Sequence, residues 1–161
     1  TVKSLIKDND MTQFKNHRLR QGRHSGINQI YLITTVTHLR KPLFNDFTLG
    51  RIVVSTMKHL HDSGRVSSLA FIVMPDHIHW LIQLKNEGLD KIMHAFKGVS
   101  AKQINQYLGT QGKCWQASYH DHAVRKEEDL PNIARYIVAN PLRAGLVKKV
   151  GDYPLWDAVW I

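Results

Sequence analysis

The stretch VMPDHIHWLIQL, residues 73–84, joins a proline–aspartate turn to a strand in which histidines alternate with apolar residues. Side chains alternate between the two faces of a β-strand. His77 and His79 therefore share one face with Leu81, and the opposite face carries Ile78, Trp80, Ile82 and Leu84. We expect the apolar face to pack under helices and the histidine face to remain open.

The segments around this strand alternate between strand and helix patterns. Three further stretches are β-branched and aromatic and predict strands, at residues 27–38, 66–75 and 114–125. Three stretches have helical spacing, at residues 47–64, 88–109 and 127–141. We expect an interruption near Gly98 and a helix end at Asn140-Pro141. This order predicts an α+β, ferredoxin-like split βαβ sandwich: a four-stranded antiparallel sheet, two helices on one face and an extra C-terminal helix.

The composition favours a nucleic-acid partner. Lys and Arg number 22 against 13 Asp and Glu in 161 residues, a formal net charge of +9. Such an excess favours a polyanion, nucleic acid before a membrane surface or an acidic protein. The one cysteine, Cys114, excludes an internal disulfide. No apolar run approaches the ~20 residues that span a bilayer, and no signal-peptide pattern is present. We expect a cytoplasmic, nucleoid-associated protein.

The chain divides into a basic arm and one domain. Residues 1–26 are polar and include two glycines, and residues 27–161 hold all the predicted elements. The arm carries four cations, Lys15, Arg18, Arg20 and Arg23. Clustered cations of this kind suit phosphate contacts.

The histidines form three His-x-His pairs, at residues 59/61, 77/79 and 120/122. The pair in the helix 47–64 points to opposite sides and cannot share an ion. The two strand pairs could each bind a metal ion. Spacing alone does not distinguish such a site from a solvated strand face.

Tyr136 and Asn140 are four residues apart in the last predicted helix, so they are expected on one face. An amide oxygen suits Mg²⁺ or Mn²⁺, and two imidazoles favour Mn²⁺. The alternative is that Tyr136 is a packing residue and Asn140 only a helix stop. Tyr107 and Gln111 have the same spacing, but Gly109 lies between them.

Three ordered blocks carry a family resemblance: PDHIH (75–79), WQASYHDHAVR (115–125) and YIVANPLRAGLV (136–147). Together they resemble the single-tyrosine transposases of the HUH (His-hydrophobic-His) nuclease superfamily, in particular the REP-associated tyrosine transposases. The likeness spans about residues 27–157. It departs from the family at the end, where a serine-rich tail is usual and LWDAVWI (155–161) stands instead.

The resemblance implies a role for each matched residue. His77 and His79 would hold Mg²⁺ or Mn²⁺, Asn140 would be the third ligand, and Tyr136 would be the nucleophile. His122 and Arg125 fall in a block with a structural or DNA-contacting role. The remaining candidates for phosphate contacts are Lys97, Lys102 and the basic arm.

The implied reaction is DNA nicking and joining. Attack by tyrosine leaves a 5′-phosphotyrosine and a free 3′-hydroxyl, and the retained bond energy permits strand transfer without a nucleotide cofactor. The expected substrate is single-stranded DNA with a hairpin or palindromic repeat, bound on the open sheet face. The protein would be a monomer or homodimer, with Tyr136 acting on its own histidines or on a partner's.

Two alternatives remain. A non-catalytic nucleic-acid-binding sandwich would explain the charge and the fold. It would usually stack bases on sheet aromatics, whereas Trp80 is predicted to point into the core. An HUH replication initiator or relaxase would share the chemistry. A two-histidine phosphoesterase is excluded because its paired H-x-[ST] motifs are missing.

Overall fold

The computed structural model describes Gly26 and residues 28–125 and 128–159. The strands and helices are β1 (Ile30–Val36), α1 (Phe47–Asp62), β2 (Val66–Val73), β3 (His77–Leu84), α2 (Leu89–Leu108), β4 (His120–Ala123), α3 (Leu130–Val138), α4 (Asn140–Arg143) and β5 (Trp156–Ala158). The strands form one antiparallel sheet in the order β4-β1-β3-β2-β5. The α+β class and antiparallel sheet are confirmed, and β5 adds a fifth strand. The predicted basic arm lies outside the described residues, apart from Gly26.

The helices begin and end where local chemistry allows. Asp46 caps α1 because its carboxylate accepts from the backbone N–H of Thr48 at 2.8 Å. Gly109 ends α2 with a φ of 65°, a conformation that glycine adopts without a Cβ clash. The predicted interruption near Gly98 is wrong, since α2 runs unbroken from Leu89 to Leu108. A single glycine lowers helix stability, but a well-packed helix face outweighs it.

The predicted apolar face of β3 packs under α1 and α2. Its side chains are fully buried and belong to one core cluster, with Ile78, Trp80, Ile82 and Leu84 contributed by β3. Trp80 stacks obliquely on Phe96 of α2 at 5.4 Å between ring centroids. The indole N–H donates to the hydroxyl of Ser68 at 2.8 Å. Trp80 thus points into the core, as predicted.

The histidine face of the sheet is not open, and that prediction is wrong. A second core cluster forms there between α3 and the sheet, because Ile133 and Ile137 pack against Leu81 and Ile72. The apolar stripe of α3 needs a partner to remove it from water, and this sheet face supplies one. The site histidines therefore lie beside a packed helix.

The fourth strand is shorter than predicted. Only His120–Ala123 pairs with β1 over more than one residue, and residue Trp115 makes an isolated bridge to Thr37. Lys97 explains part of the irregularity. Its ammonium donates to the carbonyls of Gln116 and Ser118 at 2.8 and 2.9 Å, so these carbonyls have hydrogen-bond partners outside a strand ladder.

Residues 153–158 tie the C-terminal part to β2. Leu155 is buried at 3% exposure, and its carbonyl accepts from the N–H of Val73 at 2.9 Å. The hydroxyl of Tyr153 donates to the carbonyl of Val73 at 2.6 Å. Burial raises the pKa of Tyr153 to about 12. Residues 156–158 of the segment that departs from the family pattern are thus part of the sheet.

Tyr153→Phe should lower the free energy of unfolding by about 1 kcal/mol at neutral pH, because one hydrogen bond is lost. The raised pKa means that stability from the neutral phenol is complete below pH 10 and is lost as pH rises through about 12. The difference between wild type and variant should therefore shrink over that range. Urea unfolding at pH 7 and in alkaline steps measures it. A difference that stays constant up to pH 12 would contradict the prediction.

Within residues 26, 28–125 and 128–159, every helix is too short or too polar to cross a bilayer.

Candidate active site

The two histidines of β3 are both held through Nδ1. Nδ1 of His77 lies 2.6 Å from the carboxylate of Asp76, and Nδ1 of His79 lies 2.8 Å from the hydroxyl of Thr34. The ring centroids are 5.0 Å apart and the planes are nearly perpendicular. The ionised carboxylate of Asp76 can only accept, so it fixes the His77 tautomer that leaves the lone pair on Nε2. The hydroxyl of Thr34 can accept from Nδ1 of His79, which permits the same tautomer there. Both rings can therefore present Nε2 to one shared ligand.

Burial keeps His79 neutral. Its side chain is 2% exposed, and desolvation holds the pKa well below the usual value for histidine. The nearby charges of His77, Arg143 and His120 lower this pKa further. A neutral imidazole is the form that binds a metal ion. His79 is thus in the metal-binding form at neutral pH without any other change.

Asp76 is the residue that orients His77. The hydrogen bond from His77 is the main cause of the lowered pKa of Asp76, against which burial acts. Arg40 donates to the second carboxylate oxygen at 3.0 Å and lowers the pKa further. Asp76 is therefore ionised at neutral pH and accepts from His77 and Arg40 at once.

Arg143 links the candidate nucleophile to the candidate amide ligand. Its guanidinium lies over the ring of Tyr136, 3.8 Å from the centroid, and donates to the carbonyl of Tyr136 at 2.7 Å. The other terminal nitrogen donates to the side-chain oxygen of Asn140. The charge of Arg143 also lowers the pKa of His79. Tyr136, Asn140 and His79 are therefore grouped around a single guanidinium.

Asn140 begins a new helical turn, and so the predicted helix end is corrected. α3 ends at Val138, and Asn140 is the first residue of α4. Proline lacks a backbone N–H and fits the first turn of a helix, so Pro141 starts α4 rather than merely stopping α3. Asn140 is 6% exposed, more buried than a simple helix stop requires.

Two buried polar atoms of this neighbourhood lack a partner, Nε2 of His79 and Nδ2 of Asn140. Buried polar atoms are nearly always hydrogen-bonded. The unpaired Nε2 of His79, next to a second imidazole, therefore fits a divalent metal ion such as Mn²⁺. In the described part of the chain, three or more His, Cys, Asp or Glu side chains nowhere gather for a metal ion. Oxygen ligands of another kind, from Asn140, water or phosphate, must complete the set.

The second histidine pair lies on the same sheet face. β1 pairs Thr34 with both His79 and His120, so these three residues form a row across the strands. Nε2 of His122 is taken by the carboxylate of Glu128, at 3.1 and 3.2 Å. Because Nε2 of His122 already has this partner, 120/122 is the poorer metal pair.

The basic candidates are not brought together. Lys97 and Lys102 lie on α2, which packs on the other side of the sheet from the histidines. The ammonium of Lys97 donates to the carbonyls of Gln116 and Ser118, whereas Lys102 is exposed. Arg125 is exposed just beyond β4, past the residues that pair with Tyr31 and Ile30, and so toward the end of the sheet away from His77. The four arm cations fall outside the described residues.

Sequence reasoning missed three residues that shape the site: Thr34, Arg40 and Arg143. Arg143 had a signal, because it follows Asn140 by three residues and is thus a neighbour on a helical turn. Thr34 and Arg40 had none, since their partners depend on strand register and on a loop.

The chain belongs to the IS200-like transposase family, whose model matches residues 26–140. It is similar to a REP-associated tyrosine transposase of Escherichia coli (strain K12), with 33% identity over 85 residues. That match covers 53% of this chain and 50% of the relative. A Haemophilus influenzae protein assigned the same name is 32% identical over 98 residues, covering 54% and 56%. The chain thus spans about half the length of these curated relatives.

Two solved structures show the same fold. A REP-associated tyrosine transposase bound to a REP hairpin aligns with a TM-score of 0.67 at 23% identity, covering 83% of this chain and 79% of that one. A Deinococcus radiodurans R1 protein assigned as a transposase aligns at 0.53 with 17% identity, covering 81% and 95%.

Proposed function

We propose that this protein nicks and rejoins single-stranded DNA beside a hairpin, as a metal-dependent transposase with Tyr136 as nucleophile. The observation that best supports this proposal is that Nε2 of the buried His79 has no hydrogen-bond partner. This nitrogen belongs to a residue near the Arg143 guanidinium, which contacts both Tyr136 and Asn140. A bare packing role for Tyr136 would not require an unpaired imidazole nitrogen nearby.

His77 and His79 would hold Mg²⁺ or Mn²⁺ through Nε2, and the oxygen of Asn140 would be a third ligand. When bound, such an ion supplies positive charge that offsets the charge growing on the phosphate oxygens. Thr34 and Asp76 keep both rings in place from the far side. Arg143 would stay close to Asn140 and add a second positive charge.

The hydroxyl oxygen of Tyr136 would attack the scissile phosphorus. The new oxygen–phosphorus bond forms as the bond to the 3′ oxygen breaks, the phenol loses its proton, and the departing 3′ oxygen gains one. One phosphodiester is exchanged for another, so the reverse joining step needs no nucleotide. Arg143, stacked on the ring, restricts the tyrosine to few orientations.

Hairpin DNA is proposed as substrate because a relative of the same fold is bound to a REP hairpin. The net charge of +9 suits a polyanion. The covered sheet face means that DNA would approach the site from its rim rather than lie across the strands.

A non-catalytic binding role is less well supported. The histidine-bearing faces of β1, β2, β3 and β4 carry no Phe, Tyr or Trp ring for bases to stack on, and α3 occupies part of that side. At the β5 edge of that side, Trp156 packs against the same core cluster. An initiator or relaxase would use the same site chemistry, and the family match favours a transposase.

The test is covalent capture. Wild-type protein is incubated with Mn²⁺ and a pool of DNA hairpins whose single-stranded flanks are randomised, then washed in denaturant. Retained DNA should be joined to the protein through a 5′ phosphate and should share a flank sequence. If no DNA survives the wash in Mn²⁺ or Mg²⁺ although hairpins bind, the proposed function is wrong.

A further inference from the structure

The turn after β1 has a strained backbone at two neighbouring residues. Leu39 and Arg40 have φ angles of 55° and 52°, in the left-handed region. Residues other than glycine seldom adopt it, because the Cβ approaches the carbonyl oxygen. Such strain persists only where the surroundings impose it, and it is concentrated at functional sites. The turn at residues 37–41 is therefore a place to look for a function.

Hydrogen bonds clamp this turn beside the candidate metal pair. The N–H of Thr37 donates to the carbonyl of Asp76 at 2.9 Å, and Arg40 donates to the carboxylate of Asp76 at 3.0 Å. The N–H of His38 donates to the carbonyl of Cys114 at 2.8 Å. Asp76 accepts in turn from His77. Leu39 thus sits between two anchors on the residue that orients His77.

The exposed position of the Leu39 side chain contributes no hydrophobic burial to the stability of the protein alone. Its side chain is 74% exposed, the highest value among the exposed large hydrophobic residues of the described chain. The next two residues are basic: Lys41 is exposed, and Arg40 keeps a side chain that is 44% exposed although one nitrogen donates to Asp76, so both can meet phosphates. An outward leucine on a rigid basic turn suits a partner with phosphates outside and apolar faces inside.

We propose that Leu39 is a wedge that packs against an unpaired base beside the scissile phosphate. The inference rests on the proposed function and names the DNA feature that the site would grip. Leucine is one of the side chains that proteins insert between bases to unstack them. Contact with a base face would remove its apolar surface from water. Because the turn is already fixed, little conformational freedom is lost on binding.

The experiment uses base fluorescence in protein that cannot cut. Hairpins retained on a filter by Tyr136→Phe protein are selected from the randomised pool, so that selection does not require catalysis. 2-Aminopurine then replaces one flank base at a time, and its fluorescence rises on unstacking. Leu39→Gly and Leu39→Met are compared in this background. Val159→Ala is the matched control, since Val159 is 64% exposed and lies beyond β5 at the other edge of the sheet.

Leu39→Gly should abolish the fluorescence rise at one flank position and weaken DNA binding roughly 5- to 10-fold, at the low end of the range for base stacking on a side chain. Leu39→Met should keep most of both signals. The melting temperature of Leu39→Gly should not fall, since glycine accepts this backbone without strain. A merely structural leucine would lower stability along with binding.

Binding and fluorescence of Leu39→Gly equal to those of its parent would overturn the wedge. So would an equal loss in Val159→Ala. The proposed function is assessed separately, by covalent capture with wild-type Tyr136. If covalent capture fails but the Leu39-dependent unstacking persists, Leu39 still acts as a wedge in DNA binding. The proposed nicking reaction would then be wrong.

Discussion

Tyr136→Phe protein should bind hairpin DNA as tightly as wild type and form no denaturant-resistant complex with it. The change removes the one oxygen that can join to phosphorus, and loss of a nucleophile costs at least about a thousandfold in rate. The ring remains for Arg143 to stack on. The free energy of unfolding should therefore change by less than about 1 kcal/mol. Gel shift, covalent capture and thermal melting measure the three properties.

Tyr107→Phe is the matched control. Tyr107 is 53% exposed on α2, on the other side of the sheet, so its loss should leave covalent capture unchanged. A covalent complex that persists in Tyr136→Phe would mean that another residue attacks. DNA cut by wild type without any covalent stage would mean that water does.

His77→Ala should abolish Mn²⁺ binding and lower Mn²⁺-dependent cleavage by about 100-fold or more. Loss of a residue that only orients a metal ligand can cost up to about 100-fold, and loss of the ligand itself should cost at least as much. His77 is a cleaner choice than His79. The side chain of His79 is buried and holds Thr34, so its removal leaves a cavity and an unpaired hydroxyl, which lower stability as well. Calorimetric titration with Mn²⁺ reads binding without any need for catalysis.

The paired control is His122→Ala. His122 is occupied by Glu128, so this variant should keep Mn²⁺ binding and most cleavage. If His122→Ala loses Mn²⁺ binding and His77→Ala retains it, the metal site belongs to the 120/122 pair.

The central sheet could be predicted because strand alternation is a local property. β3 shows this best, since its apolar positions and its histidines fall on opposite faces as expected. β5 could not be predicted, because three residues are too few to show the alternation of a strand. This strand forms only through its pairing with β2. The apolar stripe of α3 was visible, but an amphipathic helix does not specify which face of a sheet it covers.

The candidate site could be proposed from sequence where short spacings suggest shared chemistry. His77 and His79 are two residues apart on β3, and Tyr136 and Asn140 are four residues apart across the junction of α3 and α4. The supports of the site depend on tertiary structure. Thr34 meets His79 only because β1 and β3 pair in one particular register, 45 residues apart in sequence. Arg40 reaches Asp76 through a strained turn that no residue pattern announces.

The packing of α3 against the sheet of its own chain has a consequence for the kinetics of the proposed nicking step. Ile133 and Ile137 are fully buried against that sheet, so a helix lent to another molecule would expose its apolar stripe. We therefore expect Tyr136 to act with the histidines of its own chain, without a collision with a second chain. The nicking step should then be first order in protein, and the fraction of chains joined to DNA should not fall on dilution while the DNA remains saturating.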